Sequence, residues 1–197
     1  MEKDLLQFVK LSTSSGISEA KLNEEIGNSG VLTGAGRYFL EASERFNINE
    51  IYLLAHAKLE TGNGSSTLAK GVLVKEVDGK AVEPKVVYNM FGIAAFDRSP
   101  LKSGSEYAYK MGWDTVKKSI IGGAEWISKQ YVNHATHQQD TLYKMRWNPL
   151  NPGSHQYATD IGWAYKQTHT LNTLVEVSQK YDLHLNFDVP VYNVLKT

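Results

Sequence analysis

The sequence predicts a mainly helical α+β fold, and three observations carry that expectation. Apolar residues recur at intervals of three or four in several stretches, the mark of helices with one inward face. One valine-rich stretch, 72–87, is split by Asp78-Gly79 and reads as a hairpin instead. No internal repeat, low-complexity segment or convincing linker divides the 197 residues, so one domain (1–197) is expected, with the hairpin as a small lobe at about 72–88.

In chain order, Ser18 is placed to cap a first short helix, and Ile17 can staple onto Leu22. Gly27-Asn28-Ser29-Gly30 ends that helix. A second helix is expected from about 36 to 46, with Tyr38, Phe39, Ala42 and Phe46 at helical spacing. The third starts on Asn49 as cap, with Glu50 suited to the positive N-terminal end and Ile51, Tyr52, Ala55 and Leu59 as the inward stripe. It stops at Glu60-Thr61-Gly62-Asn63-Gly64, where two glycines permit the backbone angles that close a helix. In the hairpin, Pro84 marks the return strand as an edge or a bulge. From 113 to about 132 the pattern is helical, with Asp114 in the first turn and Gly122-Gly123 as a weakness unless another backbone packs there. Residues 133–140 are polar and loop-like. Trp147-Asn148-Pro149-Leu150-Asn151-Pro152-Gly153 is a turn-rich loop. A last long helix is expected over 160–181, capped by Asp160.

Composition narrows the function classes. With 21 basic and 21 acidic residues the formal charge is zero, so no long-range field gathers nucleic acid or anionic membrane. Lys117-Lys118, the longest basic run, reads as decoration on a helix face. There are no cysteines, which excludes disulfides and thiolate metal sites. No run approaches the ~18–20 apolar residues of a membrane span. Glu2 and Asp4 stand where an export signal would carry positive charge, so no export signal is expected in this chain.

Glu60 is the leading candidate for chemistry. It falls at the negative end of a helix dipole, and a cleft lined by aromatic rings would desolvate it. Both effects favour the neutral carboxyl that a general acid requires. Taken alone, a Glu at such an end is an ordinary solvated residue. Other constellations are weak. His134 and His137 lack an acidic ligand set and read as a surface loop, so no metal is expected. His56 reads as a packed or capping histidine. Ser65 and Ser66 form no Gly-x-Ser-x-Gly elbow. Gly34-Ala35-Gly36 lacks the setting of a dinucleotide site, so no cofactor is expected.

Five separated blocks carry a resemblance. The first runs Ala55-His56-Ala57-Lys58-Leu59-Glu60-Thr61-Gly62-Asn63-Gly64 and on to Ala69. The others are Tyr88-Asn89-Met90-Phe91-Gly92-Ile93, Gly112-Trp113-Asp114-Thr115, Leu142-Tyr143-Lys144-Met145-Arg146-Trp147-Asn148-Pro149, and 153–163 with His155-Gln156-Tyr157-Ala158-Thr159-Asp160. In this order, over about 30–190, they resemble the cell-wall glucosaminidases of glycoside hydrolase family 73, and autolysin glucosaminidase domains in particular. The resemblance implies a lysozyme-like fold with a substrate groove between a helical lobe and the hairpin lobe. It implies hydrolysis of the β-1,4 bond between N-acetylglucosamine and N-acetylmuramic acid in the peptidoglycan glycan strand, with Glu60 as proton donor. It also implies a second acid from the hairpin lobe. Glu83 is the candidate with Asp78 behind it, although Glu83 also reads as an exposed strand residue and Asp78 as turn chemistry.

Substrate assistance by the sugar's own N-acetyl group is the alternative to a second acid. The resemblance also implies that Tyr157 lies close to Glu60, positioning sugar or water. Asn89, Phe91 and Gly92 match the family's cleft-floor loop, and Tyr143 and Trp147 could stack on sugar faces. The expected setting is the cell wall, outside the cell, with a monomeric enzyme that does not insert into membrane. Its export signal would have been removed, or release would follow another route. Two alternatives stay open: a muramidase or lytic transglycosylase on the same fold, and a non-catalytic peptidoglycan-binding module.

Overall fold

The computed structural model describes residues 3–95, 99–157 and 160–191. The architecture is α+β and mainly helical. Helices α1 (Glu19–Ile26), α2 (Gly36–Phe46), α3 (Glu50–Glu60) and α4 (Thr67–Lys70) precede the strands β1 (Val72–Val77) and β2 (Lys80–Val87). Then follow α5 (Pro100–Lys110), α6 (Val116–Ile127), α7 (Leu142–Trp147), α8 (Trp163–Lys166) and α9 (Thr168–Lys180).

The local signals in the N-terminal third act as expected. Ser18 Oγ accepts a hydrogen bond from the Lys21 N–H, and Ile17 and Leu22 are both buried. Asn49 Oδ1 accepts from the N–H groups of Ile51 and Tyr52, each at 3.0 Å, and so fixes the start of α3. The α3 helix itself differs from the expected one-sided stripe. It is buried on all sides from Glu50 to Ala57, whereas Leu59, assigned to the inward face, is 55% exposed. The physical reason is position: α2 and α9 both pack on α3, so it is the central helix and no face is left to water before its last turn. Even Glu50 is inside, where it accepts hydrogen bonds from the Ser14, Ser15 and Ser43 hydroxyls and the Ser15 N–H. A buried carboxylate is tolerated because its lone pairs are so fully occupied.

The hairpin turns at Asp78 (φ 50°) and Gly79 (φ 75°), both left-handed as a type I′ turn demands. Val74 pairs with Lys85 and Glu76 with Ala81, so Lys75 alone faces Val82, Glu83 and Pro84. Pro84 therefore sits in a bulge, where its missing N–H disrupts nothing. Helix α5, which sequence periodicity does not reveal, packs against the hairpin and against α4.

Helix α6 starts later than its apolar pattern suggests. Thr115 is the cap, accepting from the Lys118 N–H, and Asp114 lies ahead of it in an ion pair with Lys118. The helix runs on as a π-helical turn, Ser128–Val132. Gly122 and Gly123 are accommodated by aromatic rings rather than by another backbone: a Cβ at Gly122 would lie 2.1 Å from the Trp113 ring, and one at Gly123 2.3 Å from Phe91. Helix α7 is a further short element not assigned from sequence. The expected last helix is two helices. Asp160 Oδ1 accepts from the Gly162 N–H in a turn ahead of α8, and α9 starts after Gln167. An isolated bridge between Val9 and Phe187 ties the two ends together. Phe39, Leu53, Leu54, Met90 and Ile120 form the heart of the core, around α3.

Candidate active site

The turn that ends α3 is built to hold Glu60 in place. Thr61 is buried; its hydroxyl donates to the Ala57 carbonyl at 2.5 Å and accepts from the Gly64 N–H at 2.7 Å. Gly64 then presses on the 29–31 segment, and its carbonyl accepts from the Val31 N–H. Glu60 emerges from this braced turn with its side chain 41% exposed. It stands between two concavities. One is a small pocket of about 40 Å³, room for water, lined by Tyr52, His56, Leu142, Tyr157, Trp163 and Gln167. The other is an open trough of about 430 Å³ walled by α4, Gly92, Ala95 and the first residues of α5. The hairpin stands behind α5.

Tyr52, His56 and Glu60 follow one another at intervals of four on α3, so one helix face presents all three to the small pocket. Tyr157 closes that pocket from the far side. Its N–H donates to the Met145 carbonyl, and its ring lies 4.8 Å from Tyr131 and 4.7 Å from Trp163. Burial, then the charge of Glu60, pushes the Tyr157 hydroxyl well above its ordinary value. Burial likewise raises Tyr52, with Tyr157 and Glu60 adding to it. Both phenols therefore keep their hydrogens in the pocket that Glu60 also lines.

The Asn89-to-Gly92 loop divides its labour. Gly92 (φ 61°) lies so close to the acid that a Cβ there would sit 3.0 Å from Glu60 Oε2. Phe91 is buried, with its ring 5.6 Å from that of His56 in an edge-on contact. Asn89 is buried and turned to the fold. Its amide donates to the Ile93 and Gly104 carbonyls, and its Oδ1 accepts from the Ile93 N–H.

The remaining expected site residues stand apart from these. Tyr143 packs on Phe8 with ring centroids 5.1 Å apart, and the Arg146 guanidinium covers the Trp147 ring at 4.1 Å. Neither lines the two concavities among the described residues. Glu83 is exposed in the hairpin bulge, where its backbone carbonyl accepts from the Tyr109 hydroxyl. Asp78 pairs with Lys110. Ala158 and Thr159 of the fifth block lie outside the described residues. Sequence reading missed Tyr52, Trp163 and Gln167 as site residues. The four-residue steps from Tyr52 through His56 to Glu60 were the available signal for the first.

Beside the pocket, His134, His137 and His155 stack with ring centroids 4.6–5.0 Å apart, and Tyr131 bridges His155 to Tyr157. Among the described residues no group of three or more His, Asp or Glu side chains is arranged to hold a metal ion. Burial, then the charges of His137 and His134, holds His155 below its ordinary value. A depressed folded value means stability that is present above the unfolded value of about 6.5 and lost as pH falls through the folded one. Thermal melts should therefore show a lower Tm at about pH 5.5 than at about pH 7.5. His155→Phe should remove part of that drop, and an unchanged pH slope in this variant would refute the assignment.

Comparisons with known proteins show the family. The family model described as mannosyl-glycoprotein endo-beta-N-acetylglucosaminidase matches residues 36–176. A beta-N-acetylglucosaminidase of Bacillus subtilis (strain 168) is 45% identical over 191 residues, 96% of this chain and 20% of the relative. A bifunctional autolysin of Staphylococcus aureus (strain MSSA476) is 51% identical over 160 residues, 80% of this chain and 12% of the relative. The chain thus spans a fifth or less of the length of these curated relatives. Among solved structures, a catalytic mutant of S. aureus autolysin E, glutamate to alanine, in complex with the disaccharide NAG-NAM matches with TM-score 0.73. The two are 39% identical, over 93% of this chain and 77% of that one. With a family model over most of its length, a relative's fold and an acid set at the junction of two concavities, the chain belongs to the glucosaminidase family.

Proposed function

We propose that this chain is a peptidoglycan hydrolase that cleaves the β-1,4 bond between N-acetylglucosamine and N-acetylmuramic acid, with Glu60 as general acid. The observation that carries the reading is the place of Glu60, between the open trough and the tyrosine-lined pocket. A glycan strand laid along the trough brings a glycosidic oxygen over the carboxyl. The solved relative named as a catalytic glutamate mutant with NAG-NAM supports both the residue type and the ligand class.

Glu60 hands its proton to the leaving oxygen as positive charge develops at the sugar's anomeric carbon. Substrate covering the trough completes the desolvation that the free enzyme lacks, because the carboxyl is still partly open to water. Tyr157 and Tyr52, held protonated, donate hydrogen bonds toward the reacting sugar or water. Gly92 and Phe91 line and support the floor, and Asn89 acts by holding the loop that carries them. Tyr143 and Trp147 would meet only sugars that extend beyond the two concavities. These 197 residues form one domain, which acts as a monomer at the cell wall outside the cell. No helix among the described residues is long and apolar enough to cross a membrane.

The exposed position of Glu83, outside both concavities, favours assistance by the substrate's N-acetyl group over a hairpin acid. Glu83→Gln should accordingly keep at least about half of wild-type turnover on purified walls, since loss of an acid–base group costs ~10²–10⁴-fold. A fall of that larger size would restore Glu83 as the second acid. The function itself is tested on the product: purified walls are digested, the new ends reduced with borohydride, and the reduced sugar identified. Reduced N-acetylglucosamine is expected. Reduced N-acetylmuramic acid would make the enzyme a muramidase, 1,6-anhydro ends a lytic transglycosylase, and no new ends a binding module.

A further inference from the structure

His56 lies one helical turn before Glu60, and neither composition nor motif gives it a task. Its ring is nearly buried, with the side chain 11% exposed, and it sits between two aromatic walls. Tyr52 stands 5.6 Å away on one side and Phe91 5.6 Å away, edge-on, on the other. Phe91 cannot retreat, because the Gly123 backbone behind it leaves no room even for a Cβ. The ring is therefore fixed in orientation as well as place.

Its two nitrogens meet opposite surroundings. Nδ1 is buried with no hydrogen-bond partner among the described residues. Nε2 faces Glu60 Oε1 at 3.6 Å. A hydrogen on Nδ1 would be a buried donor with nothing to receive it, whereas a bare lone pair there is the lesser loss. The hydrogen of the ring accordingly belongs on Nε2, aimed at the carboxyl. The other oxygen, Oε2, lies against Gly92 on the trough side.

We propose that His56 is the positioning residue for Glu60: its Nε2–H steers Oε1, so that the transferable proton is held on Oε2 where the trough presents a glycosidic oxygen. This rests on Glu60 being the proton donor. At 3.6 Å the contact is longer than a formed hydrogen bond, as catalytic contacts in a free enzyme often are before substrate closes them. As the Oε2–H bond breaks and the proton passes to the leaving oxygen, Glu60 gains negative charge. The Nε2–H bond to Oε1 strengthens at that moment. An interaction that is stronger in the transition state than in the ground state raises kcat and leaves KM nearly alone. His56 neither gains nor loses a proton, and Glu60 recovers its own from the water that completes hydrolysis. A neutral donor suits this task, since a fixed positive charge beside the acid would hold it ionised.

The test uses three variants of the full chain on purified walls or a soluble glycan fragment. Glu60→Gln is the reference for the reaction itself: if it retains full activity, the proton-donor reading fails, whatever His56 does. Given an inactive Glu60→Gln, His56→Leu should lower kcat about 10–100-fold, the scale of one hydrogen bond to a charged group, with KM within about twofold. His56→Gln, which can place an amide N–H near the old Nε2 position, should recover most of that loss. Wild-type kcat in His56→Leu, or His56→Gln as impaired as His56→Leu, would overturn the proposal. An independent readout needs no variant to be active. Nitrogen-15 spectra of the wild-type imidazole, assigned by loss of the signal in His56→Gln, should show the hydrogen on Nε2. Finding it on Nδ1 would overturn the proposal as well.

Discussion

Glu60→Gln should lower hydrolysis of purified cell walls by about 10²–10⁴-fold or more, while glycan binding and Tm stay near wild type. The magnitude is that of general acid assistance, which glutamine cannot supply because its amide has no proton acidic enough to give to a leaving alkoxide. The sparing of stability follows from place. The Glu60 carboxyl is 41% exposed at a helix end, and the side chain facing it is the His56 ring at 3.6 Å, a contact an amide can keep. Surface changes away from buried networks usually shift stability by no more than about 0.5 kcal/mol. Turnover from reducing-end release, binding from wall pull-down and Tm from calorimetry check the three parts together. Equal wall lysis by variant and wild type would remove Glu60 from the chemistry. A collapse of Tm with activity would show the residue to be structural.

Gly64→Ala should be the most damaging single methyl group near the site, at about 3 kcal/mol of lost stability. Gly64 has φ of 72°, a left-handed conformation that costs alanine energy. The added Cβ would also lie 2.3 Å from the Ser29 carbonyl oxygen and 3.1 Å from the Val31 nitrogen. Those are backbone atoms and have no rotamer by which to move aside. For a chain of this length the loss corresponds to a Tm lower by roughly 6–12 °C. Gly16→Ala is the control: its φ is 75°, but nothing lies within 4 Å of the new Cβ, so only the conformational cost remains. A Tm drop no larger in Gly64→Ala than in Gly16→Ala would show that the 29–31 segment yields freely. Because the Gly64 N–H also donates to the Thr61 hydroxyl that braces the end of α3, the folded fraction should show reduced kcat.

Particular residues show how far the chain could be read in advance. Ser18 and Asn49 announced two helix starts, and Asp78-Gly79 announced the hairpin, because these side chains satisfy or bend their own neighbouring backbone. Helix α5 gave no such notice. The face it buries is Gly104, Ser105 and Ala108, too small and polar to register as an apolar period. The split of the C-terminal helix was equally silent, since Asp160 can serve either a helix or the short turn that it does form. At the site, Glu60, Tyr157 and Gly92 could be named from the motif blocks, and Glu60 shares one concavity with Tyr157 and the other with Gly92. Asn89 matched its block too, yet its amide is consumed inside the fold, which no local pattern discloses.

What the sequence determined by itself was therefore whatever depends on a few adjacent residues: the capped helices, the I′ turn, and a family signature centred on the acid. The tertiary structure alone decided that α3 is buried on every side, that Tyr52 and His56 share the face of Glu60, and that Glu83 stands clear of both concavities. The reason is that burial and proximity come from how distant segments cover one another. A side chain's role in the site depends on that covering, while its cap, turn or helical spacing does not.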